Sequence, residues 1–283
     1  MKRVIKFRIR MLLAAGFCIS ILSGIANAHI SYDFEGYVAT ITSNSTVYHT
    51  NFDTGEQTAL GPSGINRIYS MEVSPIDGSI YAVDDWDRNL WKIDKDTGLG
   101  TKVSGSFLGW VRNLGFSKDG TLYGISKDVG SDLAELMTID LNTGSKNVIS
   151  TLSSYTDTGA FAINFEGKGF ALDVGSQWLY EIDLTNGDTT SLGYFNEYFS
   201  AFDYGPDGKL YGLRDWEIYT VDVPSLTATY IRDLGVRERF YSMGISDCNP
   251  TVAPVPVPGS ALLSGIGLSI VGWLRRKKTA IMS

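Results

Sequence analysis

Residues 90–98 read LWKIDKDTG, and the same pattern returns along the chain. Residues 136–144 read LMTIDLNTG, and residues 179–187 read LYEIDLTNG. Weaker copies occupy residues 47–55 and 218–226, of which the second lacks the final glycine. Each copy is a short apolar segment followed by a turn of the Asp-x-x-Thr-Gly type, which is typical of a β-strand that ends in a hairpin with a glycine bulge.

A second unit precedes each of the last four copies. It contains Asp-Gly or Glu-Gly followed by a short apolar segment, at residues 77–81, 119–123, 166–170 and 207–211. This dipeptide between two short alternating runs predicts a tight hairpin, because glycine takes a positive φ at no steric cost. Each repeat therefore supplies four strands. Between the chain ends, no segment of helical length shows apolar residues at helical spacing.

The repeat length decides the fold class. Successive copies start 43, 46, 43 and 39 residues apart, and the 221 residues of 29–249 hold about five such units. Four-stranded units of this length are typical of propeller blades. The sequence predicts an all-β fold, a five-bladed β-propeller with four-stranded blades over residues 29–249. A β-solenoid or a β-sandwich is the alternative.

The two ends of this region complete each other. Residues 239–246 (RFYSMGIS) resemble residues 67–74 (RIYSMEVS), which open a blade, but no blade follows them. Residues 36–61 have the later strands of a blade and no opening strand. Joined, they close the ring and remove its exposed edges. The predicted blades are 239–247 with 36–61, 67–104, 110–152, 158–193 and 198–235.

The N-terminus has the order of a secretory signal peptide. Basic residues up to Arg10 precede an apolar run over residues 11–25, and Ala26-Asn27-Ala28 is a small-x-small cleavage site for signal peptidase. The prediction is removal of residues 1–28 after export. The alternative is a membrane anchor that stays in place.

The C-terminus combines three elements. Residues 250–258 form a Val/Pro linker that ends in Val255-Pro256-Val257-Pro258, residues 259–274 are uncharged and apolar, and a basic cluster follows at Arg275, Arg276, Lys277 and Lys278. An uncharged run of this length, extended by the upstream valines, just spans a bilayer, and the basic cluster would stay on the cytoplasmic side. A plain single-pass anchor is the alternative for residues 259–283.

This order of elements resembles the PEP-CTERM class of bacterial sorting tails, in the variant with Val-Pro-x-Pro. The resemblance implies a Gram-negative bacterium, export, and recognition of the tail by an exosortase-type membrane protease. It also implies an association with exopolysaccharide or biofilm matrix at the cell envelope, the outer surface or outside the cell.

The charge distribution argues against nucleic acid as a partner. Residues 1–28 and 275–278 hold nine of the 24 basic residues and no acid, so the region between them has 15 basic against 31 acidic residues. A surface of this sign repels phosphate backbones. Cations, neutral sugars and basic partners remain compatible with it.

One candidate cation site follows from aligning the opening strands, which lie innermost in a propeller. The aligned positions are Glu72, Gly115, Asn164, Asp203 and Gly244, and three of the five offer oxygen ligands for a hard cation such as calcium. The set resembles that of calcium-centred propeller lactonases and phosphotriesterases, which implies calcium as a cofactor. The alternative is that these side chains line a wet channel or cap neighbouring strands.

Aromatic residues offer a second kind of site. Trp86, Trp110 and Trp216 are candidates for stacking against sugar rings. Core and inter-blade packing is the alternative for all three. The catalytic set is empty, because His29 and His49 are the only histidines and neither belongs to a recognisable Ser-His-Asp or Cys-His arrangement.

Together these features predict an exported propeller that binds an extracellular polysaccharide or protein without catalysing a reaction. A calcium-dependent hydrolase of lactonase or esterase type is the first alternative, and a structural matrix protein for cell adhesion is the second.

Overall fold

The computed structural model describes residues 34–103, 108–127, 133–153 and 158–246. These ranges fold into twenty β-strands. No helix occurs in them, and so none that could cross a bilayer. The predicted signal peptide, linker and sorting tail lie outside the described residues.

The strands are short and regularly spaced. In chain order they are β1 Glu35–Thr40, β2 Thr46–Asn51, β3 Gln57–Pro62, β4 Ile68–Val73, β5 Ile80–Asp84, β6 Leu90–Ile93, β7 Gly100–Lys102, β8 Val111–Phe116, β9 Leu122–Ser126, β10 Ala134–Ile139, β11 Lys146–Leu152, β12 Thr158–Ile163, β13 Lys168–Asp173, β14 Trp178–Asp183, β15 Thr189–Tyr194, β16 Ala201–Tyr204, β17 Leu210–Arg214, β18 Glu217–Asp222, β19 Thr227–Asp233 and β20 Phe240–Ile245.

The strands form five antiparallel sheets of four strands each, which confirms the predicted five-bladed propeller. Blade 1 has the order β20-β1-β2-β3, and blades 2 to 5 are β4–β7, β8–β11, β12–β15 and β16–β19. The first strand of each order contacts the first strands of both neighbouring sheets, so β20, β4, β8, β12 and β16 surround the axis. We call them the inner strands.

Blade 1 closes the ring as the sequence predicts. Strand β20 pairs antiparallel with β1, and Gly36 lies opposite Ile245. A Cβ atom at Gly36 would stand 2.3 Å from the carbonyl oxygen of Gly244, so only glycine allows this close approach. Through this closure the inner strand of blade 1 has a partner strand in its own sheet, as the other inner strands do.

The free edges of the inner strands are bonded by side chains of neighbouring blades. Ser45 Oγ accepts a hydrogen bond from the backbone N–H of Ile68 at 2.9 Å, and Ser70 Oγ accepts one from Leu114 at 2.9 Å. Such bonds satisfy backbone groups that would otherwise be buried without a partner. They also fix each blade against the next.

The turns follow the residue types that the repeat supplies. The glycines of the Asp-Gly units and of the Thr-Gly units all have positive φ, for example 85° at Gly120 and 67° at Gly144. In blade 5, Leu226 occupies the glycine position of the other blades and still has a φ of 53°. Packing of its side chain in the apolar cluster of blades 4 and 5 compensates for this strained conformation.

The ring has two chemically distinct faces. One face, here called the turn face, holds two tight turns in each of blades 2 to 5 and one in blade 1, at residues 74–79, 117–121, 164–167, 205–209, 52–56, 94–99, 140–145, 184–188 and 223–226. The opposite face, here called the loop face, holds the remaining loops and the connections between blades, such as residues 85–89, 195–200 and 234–239. The inner strands run from the loop face to the turn face.

Candidate functional site

The inner strands of four blades contain a β-bulge at their loop-face end. In each of these four strands, the second residue has no partner residue on the neighbouring strand. The skipped residues are Tyr69, Arg112, Gly159 and Tyr241. A bulge re-aims the side chain of its extra residue, and bulges are common beside binding sites. Three large polar side chains thus leave the regular pleat beside the axis.

These side chains contact one another. Arg112 Nη1 donates a hydrogen bond of 2.6 Å to the hydroxyl of Tyr69, and the rings of Tyr69 and Tyr241 lie 5.9 Å apart between centroids. Tyr198, from the connection between blades 4 and 5, lies beside them, because Tyr241 and Tyr69 both act on the pKa of its hydroxyl. We call Tyr69, Arg112, Tyr198 and Tyr241 the tyrosine–arginine cluster.

The protonation states of the cluster follow from its surroundings. Burial raises the pKa of Tyr198 to about 12, and the neighbouring Tyr241 and Tyr69 act in the same direction. Burial also raises the pKa of Tyr69, although the guanidinium group of Arg112 opposes this. Both hydroxyls therefore keep their protons at neutral pH.

The arginines of the propeller all lie at or beside the loop face: Arg67, Arg88, Arg112, Arg214, Arg232, Arg237 and Arg239. Four of them form ion pairs with acidic residues, namely Arg67 with Asp85, Arg214 with Glu197 and Glu217, Arg237 with Asp233, and Arg239 with Asp215. Arg112 and Arg232 differ from these four, because no carboxylate among the described residues lies within 4.0 Å of either guanidinium group. The charge of Arg112 is therefore not neutralised by a partner in that part of the chain.

The three candidate tryptophans occupy different environments on the loop face. Trp86 is 74% exposed in the loop of residues 85–89. Trp110 lies beneath two guanidinium groups, with the central carbon of Arg88 at 3.7 Å and that of Arg112 at 5.5 Å from its ring centroids. Trp216 packs against the apolar cluster shared by blades 1 and 5, where packing rather than stacking is its evident role.

Glu72, Asn164 and Asp203 all line one small cavity, on the axis toward the turn face. Its volume is about 30 Å³, which is enough for one water molecule or one ion. The structure therefore brings the three predicted ligands together around one small cavity.

The alignment that placed Asn164 level with Glu72 and Asp203 needs a correction. By strand register the equivalent residue of blade 4 is Ala162, whose partner on β13 corresponds to the partners of Glu72 and Asp203. Asn164 lies two residues further on, in the turn. There its Oδ1 accepts hydrogen bonds from the backbone N–H groups of residues 166 and 168, so the amide caps a hairpin.

The two carboxylates are also engaged in the fold. Asp203 accepts backbone hydrogen bonds on both oxygens, from Tyr204 at 2.7 Å and from Ile245 at 2.6 Å, and Glu72 accepts one from Val73 at 2.9 Å. Among the described residues, no group of three or more His, Cys, Asp and Glu side chains is arranged to hold a metal ion. Calcium takes six to eight oxygen ligands, and these residues do not fit that requirement.

Of the cluster residues, Tyr69, Arg112 and Tyr241 were not among the sequence candidates, although part of the signal is visible. The match between residues 67–74 and 239–246 places Tyr69 and Tyr241 in equivalent positions. Arg112 occupies the same position in blade 3, three residues before Gly115. The bulge that turns these side chains out leaves no mark in the residue pattern, and Tyr198 lies just before the first strand of its blade.

Comparisons with known proteins show the fold and nothing narrower. Neither a model of a protein family nor a curated protein matches the chain. A chain in the crystal structure of a nidogen/laminin complex aligns with a TM-score of 0.55 and 12% identity, over 75% of this chain and 98% of that one. TolB from Acinetobacter baumannii aligns with a TM-score of 0.50 and 17% identity, over 74% of this chain and 55% of that one. This chain therefore matches about half the length of TolB.

Proposed function

We propose that the protein is an exported binding module of the bacterial envelope or extracellular matrix, which holds a polysaccharide or protein on its loop face and catalyses no reaction. The supporting observation is the contrast between the two ends of the ring axis. The turn-face end has a cavity of about 30 Å³, whereas the loop-face end has the tyrosine–arginine cluster with exposed aromatic side chains around it.

The chemistry of the cluster supports binding rather than catalysis. A general acid or base works best when its pKa lies near the working pH. The raised pKa values of Tyr69 and Tyr198 move these hydroxyls away from that range. Neutral hydroxyls, aromatic rings and a fixed guanidinium group are instead the groups that recur at the centres of recognition surfaces.

A paired set of variants tests the loop face. Trp86→Ala with Tyr198→Ala removes two side chains that are 74% and 45% exposed on the loop face, and Ile76→Ala with Leu99→Ala removes two that are 66% and 56% exposed on the turn face. Binding to a panel of bacterial exopolysaccharides and matrix proteins should be lost in the first variant and kept in the second. The reverse outcome would refute the proposal.

The rival hydrolase has its own readout. The double variant Glu72→Gln/Asp203→Asn keeps the side-chain shapes and removes both axial carboxylates. Calcium bound in equal amount to the protein, together with esterase or lactonase activity that this variant abolishes, would favour the hydrolase and contradict a non-enzymatic module.

The route of export is part of the same proposal. Removal of residues 1–28 would leave a mature protein that starts at His29, and an exosortase-type protease would process the tail after residue 255 or later. Mass spectrometry of the exported protein measures both ends. Replacement of Pro256 and Pro258 by Ala should block processing of the tail while leaving signal removal intact. If both the wild-type protein and this variant still end at Ser283, the result argues for a plain anchor.

A further inference from the structure

Arg112 is held in place by uncharged groups. The Tyr69 hydroxyl accepts a hydrogen bond from its Nη1, and the guanidinium carbon lies 4.7 Å from the Tyr69 ring centroid. A guanidinium group has five N–H donors, and among the described residues Tyr69 is its one hydrogen-bond acceptor. Within the described part of the chain, the other four donors and the positive charge have no partner.

A planar guanidinium fork matches a carboxylate, because two parallel N–H groups meet its two oxygens. Fixing the fork in advance lowers the entropy lost on binding. Tyr69 provides this fixation without supplying a negative charge of its own. Asp85 also acts on the pKa of Tyr69, and this carboxylate forms an ion pair with Arg67 at 3.5 Å.

The surroundings of Arg112 suit a sugar. The hydroxyls of Tyr198 and Tyr241 both donate and accept hydrogen bonds, as sugar hydroxyls require. Trp86, 74% exposed, and Tyr198, 45% exposed, offer ring faces on the same side of the propeller. Rings with one apolar face and one polar tip are suited to partly hydrated ligands.

We propose that the tyrosine–arginine cluster is a subsite for the carboxylate of a uronic acid residue in an acidic polysaccharide. This deepens the loop-face binding proposed above and rests on it. Arg112 pairs with the carboxylate, and the hydroxyls of Tyr198 and Tyr241 bond to hydroxyls of the same sugar unit or the next.

The negative charge of the propeller does not oppose this assignment. Acidic side chains of the turn face lie at the other end of the ring, and at physiological salt the Debye length is about 8 Å. On the loop face, Asp85, Asp215 and Asp233 are paired with arginines. The one cluster charge without such a partner among the described residues is positive.

Matched oligosaccharides test the subsite. Six-residue oligomers of galacturonate, glucuronate and mannuronate are compared with the same oligomers after reduction of each carboxyl group to a primary alcohol, by calorimetry with the full protein at low and physiological salt. We expect at least one acidic oligomer to bind about tenfold or more tightly than its reduced form, because one charge-assisted bidentate contact is lost on reduction. The difference should shrink as salt rises.

Two variants and a control locate the effect. Arg112→Gln should abolish the preference for the acidic oligomer, and Tyr69→Phe should weaken it several-fold, since the guanidinium loses its anchor while the ring stays. Arg237→Gln is the control, because Arg237 is 72% exposed on the same face and already paired with Asp233. It should keep the preference, and circular dichroism of all three variants reports their folding.

Three results would overturn the subsite. They are equal binding of acidic and reduced oligomers, a preference that survives Arg112→Gln, and binding to exported proteins in place of any of the sugars. In each case the Trp86/Tyr198 and Ile76/Leu99 variants still decide separately whether the loop face binds. A failed subsite is thus distinguishable from a failed binding face.

Discussion

The turn face and the loop face are built from the same four-stranded repeat and use it in opposite ways. On the turn face, Asp94, Asp140 and Asp183 each accept hydrogen bonds from the backbone and side chain of their own turn. On the loop face, the equivalent bulged position holds Tyr69, Arg112, Gly159 or Tyr241 in turn. The repeat is strict where its residues shape the backbone and is lost where its side chains meet solvent.

This difference has a physical cause. A turn of fixed length needs a positive φ at one position and an acceptor for two N–H groups, and only a few residue types supply them. A bulged residue is released from the pleat, so its side chain has no packing role that fixes its type. The loop face can therefore vary between blades without cost to the fold, and the comparison leads to separate expectations for stability and binding.

The largest effect on stability should come from a turn glycine that touches the neighbouring blade. Gly187 and Gly208 both have a φ of 78°, but a Cβ at Gly187 would stand 2.5 Å from the Cβ of Ser150, whereas nothing lies within 4 Å at Gly208. Gly187→Ala should cost about 2–3 kcal/mol and Gly208→Ala about 1–2 kcal/mol of unfolding free energy, since only the first adds a clash to the backbone strain.

Urea unfolding of the two glycine variants measures this difference. Equal losses would mean that the contact between the turn and the next blade contributes nothing, and that turn geometry alone accounts for the conserved glycine within the repeat.

The next effect concerns the acceptor of a turn. Asp140 Oδ1 accepts hydrogen bonds from Asn142 N at 2.9 Å, Thr143 N at 2.8 Å and Thr143 Oγ1 at 2.9 Å. Asp140→Ala should lower the midpoint of thermal unfolding by a few degrees, because these donors lose their acceptor. The unfolding midpoint of Asp140→Asn should stay close to that of wild type, because Asn51 accepts the equivalent backbone hydrogen bonds in blade 1. A larger loss in the Asn variant would contradict the assignment.

A smaller effect is expected in acid. Hydrogen bonds from their own turns lower the pKa values of Asp94, Asp140 and Asp183. A lowered pKa in the folded state contributes stability above the ordinary aspartate pKa of about 3.9, and this contribution disappears as the pH falls through the folded value. Replacing all three by Asn should make the loss of stability below about pH 4 shallower. The measurement is the denaturant midpoint of unfolding at each pH from 6 to 2. If the midpoint of the triple variant falls with pH as steeply as that of wild type, the turns are not responsible.

The smallest effect belongs to the loop face in alkali. Burial raises the pKa of Tyr198 to about 12, so its neutral form contributes stability below the ordinary tyrosine pKa of about 10, and this contribution is lost as the pH rises toward the folded value. Tyr198→Phe should flatten the decline of stability over that interval and remove one late-titrating group from the ultraviolet absorbance of tyrosinate. If Tyr198→Phe titrates like wild type, the late-titrating tyrosine is a residue other than Tyr198.

Residue spacing predicts the turns and the closure of the ring well, since both depend on backbone geometry. The pairing of β20 with β1 and the positive φ of Gly120 both follow from the repeat. The wrong alignment of Asn164 could have been avoided by counting from the turn glycine. Counting five residues back from the turn glycine gives Gly115 and Asp203 in blades 3 and 5, and Ala162 in blade 4.

The tyrosine–arginine cluster was harder to predict from the sequence. A bulge changes the direction of a side chain and not the residue pattern, so Tyr69 and Arg112 look like ordinary strand residues in the sequence. The hydrogen bond between them joins two blades through residues that are 43 positions apart in the chain, and Tyr198 comes from the connection before β16. Contacts of this kind depend on the closed ring and on no local signal.

The shift in melting temperature caused by an acidic oligosaccharide, measured on Arg112→Gln and on Asp140→Ala, tests the division between the faces most directly. A ligand that binds the folded state raises the melting temperature in proportion to its binding. We expect Asp140→Ala to melt earlier and keep the full ligand-induced shift, and Arg112→Gln to lose the shift, whatever its melting temperature without ligand. A shift that survives in Arg112→Gln and disappears in Asp140→Ala would assign the ligand to the turn face.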